Sequence, residues 1–370
     1  MSRLVALRFH TLHIPFRQRF SHASAKRDAT SSLWVEAIGD DGLVGVGEAC
    51  PRPYVTGETL DSARRFFDAS RAGVVSDIGD AESLRAWVES QRQRIDANPA
   101  AWCAIELALI DLFSRQAGQS AEVWLGLPEV CVSFRYSAVL GDADAAVFAT
   151  TFARYRHIGI TDFKLKLSGD LARDREKLAV LHDAGAAVSR LRLDANNLWQ
   201  DAAIARDYLI ALDAPAFAIE EPLATSSHTQ LPSLAQALNM AVILDESLCR
   251  IEQLADFAPG TRWIPNLRVS KLGGLLRTLE LVAAARRREM GLIVGAQVGE
   301  TSLLTRVALS VAQAVGDSLI AQEGAFGTHL LQHDVCTPPL MFGAAGTLAY
   351  QSGEPGWGLD CAPDPGCLGD

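Results

Sequence analysis

Between residues 131 and 337, short apolar runs alternate with longer stretches whose apolar positions recur at helical spacing. The runs cover residues 133–139, 162–167, 191–194, 217–220, 241–245, 264–269, 292–296 and 319–321, and begin about 23 to 29 residues apart. Eight strand–helix units of that size predict a barrel of parallel strands with crossover helices. A doubly wound open sheet has the same alternation and is the rival.

The first 130 residues have a different texture. Residues 32–37 and 43–48 read as strands around the turn-like Gly39-Asp40-Asp41-Gly42, which predicts a hairpin. Helical patterns follow at 59–70, 81–97 and 100–115, where Ile105, Leu109 and Leu112 share a face. From about residue 338 the chain is rich in Gly and Pro, so it should wrap over the surface rather than extend the barrel. The organisation expected is an α+β part at 1–130, a barrel at 131–337 and a closing segment at 338–370.

Composition narrows the class. The chain of 370 residues is 49% hydrophobic and 21% charged, an ordinary globular balance. No apolar run approaches the roughly 20 residues that span a bilayer, and the amino-terminus does not read as a signal peptide, so a cytoplasmic protein without a membrane partner is expected. Seven scattered cysteines without Cys-x-x-Cys spacing predict reduced thiols. A net charge of −10 without a long basic run argues against a nucleic-acid partner. The glycines of Gly42-Leu43-Val44-Gly45-Val46-Gly47 lie inside the hairpin and precede no helix, so they form no dinucleotide loop. His329 and His333 have no placed partner for triad chemistry.

Charged residues fall where such a barrel would use them. Lys164 and Lys166 sit in the second run, Asp194, Glu220 and Asp245 end the third, fourth and fifth, and Lys271 follows the sixth. Carboxyl-terminal strand ends converge on one mouth of a parallel barrel, where active sites are built. Lys164 and Lys166 are two positions apart and so share a face; each should lower the other's pKa, which suits an amine base. Three carboxylates supply only hard oxygen ligands, which points to Mg²⁺ or Mn²⁺ rather than Zn²⁺. Alone, a Lys-x-Lys is usually a solvated strand edge and a strand-end Asp a helix cap. Acidic residues ending three consecutive runs are harder to assign to structure.

The segments Phe163-Lys164-Leu165-Lys166, Asp194-Ala195-Asn196-Asn197, Ile219-Glu220-Glu221-Pro222, Leu244-Asp245-Glu246-Ser247 and Ser270-Lys271-Leu272-Gly273-Gly274 resemble, in order and spacing, the enolase superfamily and its muconate-lactonizing subgroup. Gly47-Glu48-Ala49 and residues 104–112 extend the resemblance to the amino-terminal part. It implies an α/β fold: a (β/α)7β TIM-like barrel with an amino-terminal α+β capping domain completed by the carboxyl-terminal tail. It also implies Mg²⁺ on Asp194, Glu220 and Asp245, Lys166 and Lys271 facing each other across the substrate, and Lys164 supporting Lys166 and a bound carboxylate. Candidate substrate contacts are His22, Tyr54 and Thr56 from the cap, with Asn196, Glu300 and Glu323 at the mouth.

The function this implies is removal of the α-proton of a small-molecule carboxylate through an enediolate. A racemase or epimerase of an amino-acid derivative is the first reading. A muconate-type cycloisomerase and an o-succinylbenzoate-forming dehydratase are alternatives, and a non-catalytic metal-binding scaffold is the alternative of another class. Dipeptide epimerases of this type carry an Asp-x-Asp after the eighth strand; Gln322-Glu323-Gly324-Ala325 stands there instead, which argues against a dipeptide. A homo-oligomer is compatible with all of these readings.

Overall fold

Eight parallel strands form one curled sheet in chain order: Ala138–Leu140, Asp162–Lys166, Arg190–Asp194, Ala218–Glu220, Ala241–Leu244, Trp263–Leu267, Leu292–Val294 and Leu319–Gln322. Their ends meet where Ser137 donates from its backbone N, at 2.9 Å, and from Oγ, at 3.1 Å, to the Gln322 carbonyl. The structure is a computed structural model that describes residues 3–22, 25–185 and 188–369. Strands buried on both faces must be apolar nearly throughout, and Ala241-Val242-Ile243-Leu244 and Leu292-Ile293-Val294 are. Helices Ala145–Ile158, Leu171–Asp183, Ala202–Leu212, Leu231–Leu238, Leu275–Arg287 and Ser302–Val315 alternate with the strands outside. Four of the six begin on Asp144, Asp170, Asp201 and Thr301, whose side chains accept from the first turn.

Two of the sequence runs leave the barrel for another element part-way along. The run at 133–139 divides: Cys131–Arg135 pairs antiparallel with Thr347–Gln351 in the tail, and only Ala138–Leu140 joins the barrel. Alternating exposure along 131–135 suits a two-stranded ribbon open to solvent on one side. The run at 264–269 stops at Leu267, because Val269–Leu272 turns into a one-turn helix closed by Gly273 at φ 82°.

The amino-terminal part carries an antiparallel sheet in the order 368–369, 4–12, 32–39, 44–49, so the last residues of the chain edge its first strand. Helix Pro99–Gln116 is buried along almost its whole length against this sheet. Gly45 and Gly47 make that approach possible: a Cβ at Gly47 would lie 2.0 Å from the Ala104 carbonyl oxygen, and one at Gly45 2.2 Å from Leu112 N.

Buried acids then fix the amino-terminal elements to the barrel. Glu48 accepts from Thr301 N at 3.1 Å and Thr301 Oγ1 at 2.6 Å, at the start of helix Ser302–Val315. Glu106 accepts from Leu276 N at 3.0 Å, at the start of the preceding helix, and Asp111 accepts from Trp357 N at 2.9 Å in the tail. Among the described residues, no helix is long and apolar enough to cross a membrane. None of the seven cysteines is in a disulfide.

Burial pushes the Glu48 carboxyl up to about 8 from its ordinary 4.5, against the donors of Thr301. Folding therefore favours its protonated form, while the unfolded chain releases the proton near pH 4.5. This group's contribution to stability is full below about pH 4.5 and is lost as pH rises towards 8. Thermal denaturation of wild type and Glu48→Gln between pH 5 and 8.5 should show the wild type losing stability relative to the variant as pH rises; parallel curves would refute the assignment.

Candidate active site

The strand ends deliver their charged side chains to one mouth. Successive residues of a strand point to opposite faces, so Lys164 and Lys166 both enter the barrel while Leu165 packs outward into the core. Lys164 Nζ lies 3.0 Å from Glu220 Oε2, 2.8 Å from Glu323 Oε2 and 3.6 Å from Asp194 Oδ2. Lys166 Nζ donates to Asp194 Oδ2 and to Asn196 Oδ1, both at 2.7 Å. Asn196 and Asn197 have φ of 46° and 61°, a left-handed stretch that Asn tolerates and that turns the Asn196 amide back over the strand end.

The base candidate is also held from behind. Lys177, buried in helix Leu171–Asp183, donates to the Lys166 carbonyl at 3.1 Å and pairs with Asp174 and Asp142, both at 2.8 Å. Tyr208 Oη donates to the second oxygen of Asp174 at 2.7 Å.

A cavity of about 290 Å³ opens above these groups. Lys164, Lys166, Asn196, Glu246, Arg268, Gln297, Glu300 and Glu323 line its polar floor, and Phe148, Thr151, Tyr155 and Phe326 a largely apolar side. Tyr54 reaches it from the amino-terminal part.

Three expectations are corrected. Lys271 does not line the cavity; it is buried beneath it in the one-turn helix, with Nζ donating to the Asp245 carbonyl at 2.8 Å, Asp245 Oδ1 at 2.9 Å and the Asn266 carbonyl at 2.8 Å. All three ammonium hydrogens are engaged, so Lys271 does not face Lys166 across a substrate. Arg268 occupies that wall instead: it pairs with Asp245, lies 3.5 Å from Glu220 Oε1 and donates to Gln297 Oε1 at 3.0 Å.

Thr56 is the second correction, since its hydroxyl donates to Glu58 at 3.1 Å and does not line the cavity. Third, the Lys164 pKa is not lowered. Burial pulls it down, but Glu220, Glu323 and Asp194 raise it more, so it stands above the ordinary lysine value. The side chain of His22 lies outside the described residues.

The acids divide by environment. Burial alone would raise Asp194, yet Lys166 and Lys164 hold it well below the usual carboxylate range. Asp245 is lowered likewise by Arg268 and Lys271, against its burial. Glu220 is pushed up to about 7 by burial together with the charges of Asp194, Glu323 and Asp245, which exceed the help it receives from Lys164. Burial and then the Asp245 and Glu221 charges push Glu246 well above its ordinary value. Glu300 is raised to about 7 by burial and accepts from Gln297 N at 2.6 Å.

A hard divalent cation fits this donor set. Asp194, Glu323 and Asp245 all raise the Glu220 carboxyl on top of its burial, and Glu246 Oε2 and Asn266 Oδ1 are buried acceptors without a hydrogen-bond donor. As the side chains stand, Lys164 and Arg268 lie between the carboxylates, and among the described residues no three His, Cys, Asp or Glu groups are drawn into ion-holding geometry.

The sequence profile of the enolase C-terminal domain-like family matches residues 147–364. An L-Lys-D/L-Arg epimerase of Methylococcus capsulatus is 27% identical over 84% of this chain and 87% of its own length. An aromatic dipeptide epimerase of Herpetosiphon aurantiacus is 25% identical over 79% of this chain and 82% of its own. Two solved structures share the fold. A muconate lactonizing enzyme from Pseudomonas fluorescens has a TM-score of 0.86 at 23% identity, covering 97% of each chain. A dipeptide epimerase from Cytophaga hutchinsonii, complexed with Mg and a dipeptide, has a TM-score of 0.87 at 20% identity, covering 99% of this chain and 98% of the other.

If Lys271 neutralises the buried Asp245, Lys271→Met should destabilise the fold by about 3–5 kcal/mol, the usual cost of stranding one member of a buried pair. Urea denaturation measures it. A loss below about 1 kcal/mol, the size of an exposed pair, would show that Arg268 alone suffices.

Proposed function

The chain belongs to the enolase C-terminal domain-like family, and on that premise we propose that it is an isomerase whose reaction begins when Lys166 takes the α-proton of a carboxylate in an amino-acid derivative. The observation that carries this reading is the position of Lys166: on the cavity floor, its side-chain nitrogen lies 2.7 Å from both Asp194 and Asn196, and as the neutral amine it has the lone pair that takes the proton. A positioned base contributes roughly 10²–10⁴-fold, which falls far short of what deprotonation beside a carboxylate requires.

Mg²⁺ would be held by Asp194, Glu220 and Asp245, and when bound it supplies the positive charge that stabilises the enediolate. Lys164 holds Glu220 and Glu323 in place and adds a permanent cation to the floor. Phe148, Thr151, Tyr155 and Phe326 receive the substrate's side chain or acyl group and exclude water. Glu323 is paired through one oxygen with Lys164 and through the other with Arg192, at 3.2 Å, so its charge is already balanced before a substrate ammonium arrives. An N-acylated amino acid therefore suits the cavity better than a dipeptide with a free amino group.

Epimerisation is the first reading, because the curated relatives are named epimerases. Arg268 favours a second. An epimerase that works from both sides needs a proton donor and acceptor facing Lys166, whereas cycloisomerisation or dehydration needs one base and a fixed charge.

The test is solvent deuterium exchange at the α-carbon across N-acylamino acids, dipeptides and muconate-like acids with Mg²⁺ present. Exchange is expected with at least one N-acylamino acid, falling about 10²-fold or more in Lys166→Ala. Glu220→Gln should raise the Mg²⁺ concentration needed for half-maximal exchange. Silence across the panel would overturn the reading and leave a non-catalytic scaffold.

A further inference from the structure

Arg268 follows the sixth of eight barrel strands and Lys166 ends the second, which places them on opposite walls of the mouth, both lining the cavity. A guanidinium accepts no proton at any working pH and presents a planar fork that matches a carboxylate. Here Gln297 orients one arm at 3.0 Å, and Nε is buried without a hydrogen-bond partner. We propose that Arg268 is a catalytic residue that grips an anionic oxygen of the substrate on the wall facing Lys166, which confines proton transfer at the α-carbon to one face.

This rests on the reading of Lys166 given above and takes the cycloisomerisation or dehydration course in place of epimerisation, since transfer on one face cannot invert the α-carbon. The C–H electron pair moves into the carboxylate as Lys166 Nζ takes the proton. The pair then recaptures that proton on the same face, closes a ring onto an internal acceptor, or expels a β-oxygen that leaves with the proton from Lys166. None of these courses needs an acid on the Arg268 wall.

The two antipodes of an exchanging N-acylamino acid, incubated separately in D₂O, test the inference. Wild type should label one antipode, and Arg268→Lys, which places a titratable amine on the second wall, should label both. Calorimetric affinity for the same acid should fall about 10- to 100-fold in Arg268→Met and be largely restored in Arg268→Lys. Comparable labelling of both antipodes by wild type overturns the one-face inference and leaves the Lys166 reading standing. If wild type labels neither, the Lys166 reading falls, and unchanged affinity in Arg268→Met for an N-acylamino acid the protein binds would also overturn the grip by Arg268.

A different observation carries a second proposal. Cys336 and Cys361 face each other across an antiparallel bridge, flanked by a hydrogen bond from Ala362 N to the Val335 carbonyl at 2.8 Å, with the sulfurs 2.9 Å apart. That flanking bond marks a pair without hydrogen bonds of its own, whose Cα separation of about 4.5 Å falls within the disulfide range. Cys336 is buried and Cys361 half-buried, so an oxidant can reach the pair. The geometry points to a reversible Cys336–Cys361 disulfide pinning the closing tail to the segment that follows the cavity wall. Both S–H bonds break and one S–S bond forms, while glutathione disulfide takes up the two electrons and two protons and leaves as two thiols.

After treatment with glutathione disulfide, peptide mapping should recover 336 and 361 in one linked peptide, a link absent from Cys361→Ser, and the wild type should melt several degrees higher oxidised than reduced. Full alkylation of both thiols after that treatment would overturn the proposal.

Discussion

Four carboxylates, Asp194, Glu220, Asp245 and Glu323, are confined with Lys164, Lys166, Arg268 and Lys271 at a nearly dry barrel mouth, and this mutual neutralisation is the constraint on which the site depends. A lone buried ion costs several kcal/mol, so each group is tolerable only while its partners hold position. The strands supply that rigidity. Parallel pairing sets Lys166 level with Asp194, and Asp194 level with Glu220, in one layer, and the next turn of chain folds over it. Burial and charge together shift protonation in opposite directions, holding Asp194 low beside Lys166 and Lys164 while burial, with the neighbouring acids, raises Glu220.

Period and position made much of this legible in the sequence. A Lys-x-Lys in an apolar run can only place both amines on one face, and acids ending three successive runs can only meet if the runs form parallel neighbours. Lys271 escaped the same logic because it lies past the strand. Where the chain leaves Leu267, a one-turn helix swings Lys271 under the mouth and leaves Arg268 at the rim, a rotation that no alternation of apolar residues reports. The raised pKa of Lys164 was hidden for a related reason: the three acids that outweigh its burial come from distant strands. Gly45 and Gly47 lie in the hairpin strand expected of them, yet their use in close helix packing required knowing where residues 104–112 lie.

The amino-terminal elements contribute more than cover. Tyr54 comes from a short turn there, and the buried acids that tie these elements to the starts of two barrel helices keep that turn in a fixed relation to the mouth. The apolar side of the cavity, by contrast, comes from helix Ala145–Ile158 and the loop after the eighth strand. The apolar side and the charged floor of the cavity therefore reside on different segments, so one can change while the other is kept.

Lys177 gives the outer layer of the barrel a hold on Lys166. Its ammonium is shared among the Lys166 carbonyl, Asp174 and Asp142, and Tyr208 from the next helix completes the Asp174 shell. Lys177, Asp174 and Tyr208 lie outside the cavity lining, so an inherited change at any of them reaches the interior indirectly, and with Asp142, which does line the cavity, they should drift as a coordinated set. The rear of the barrel is thus a place where natural variation can retune the enzyme while its visible active-site residues remain the same.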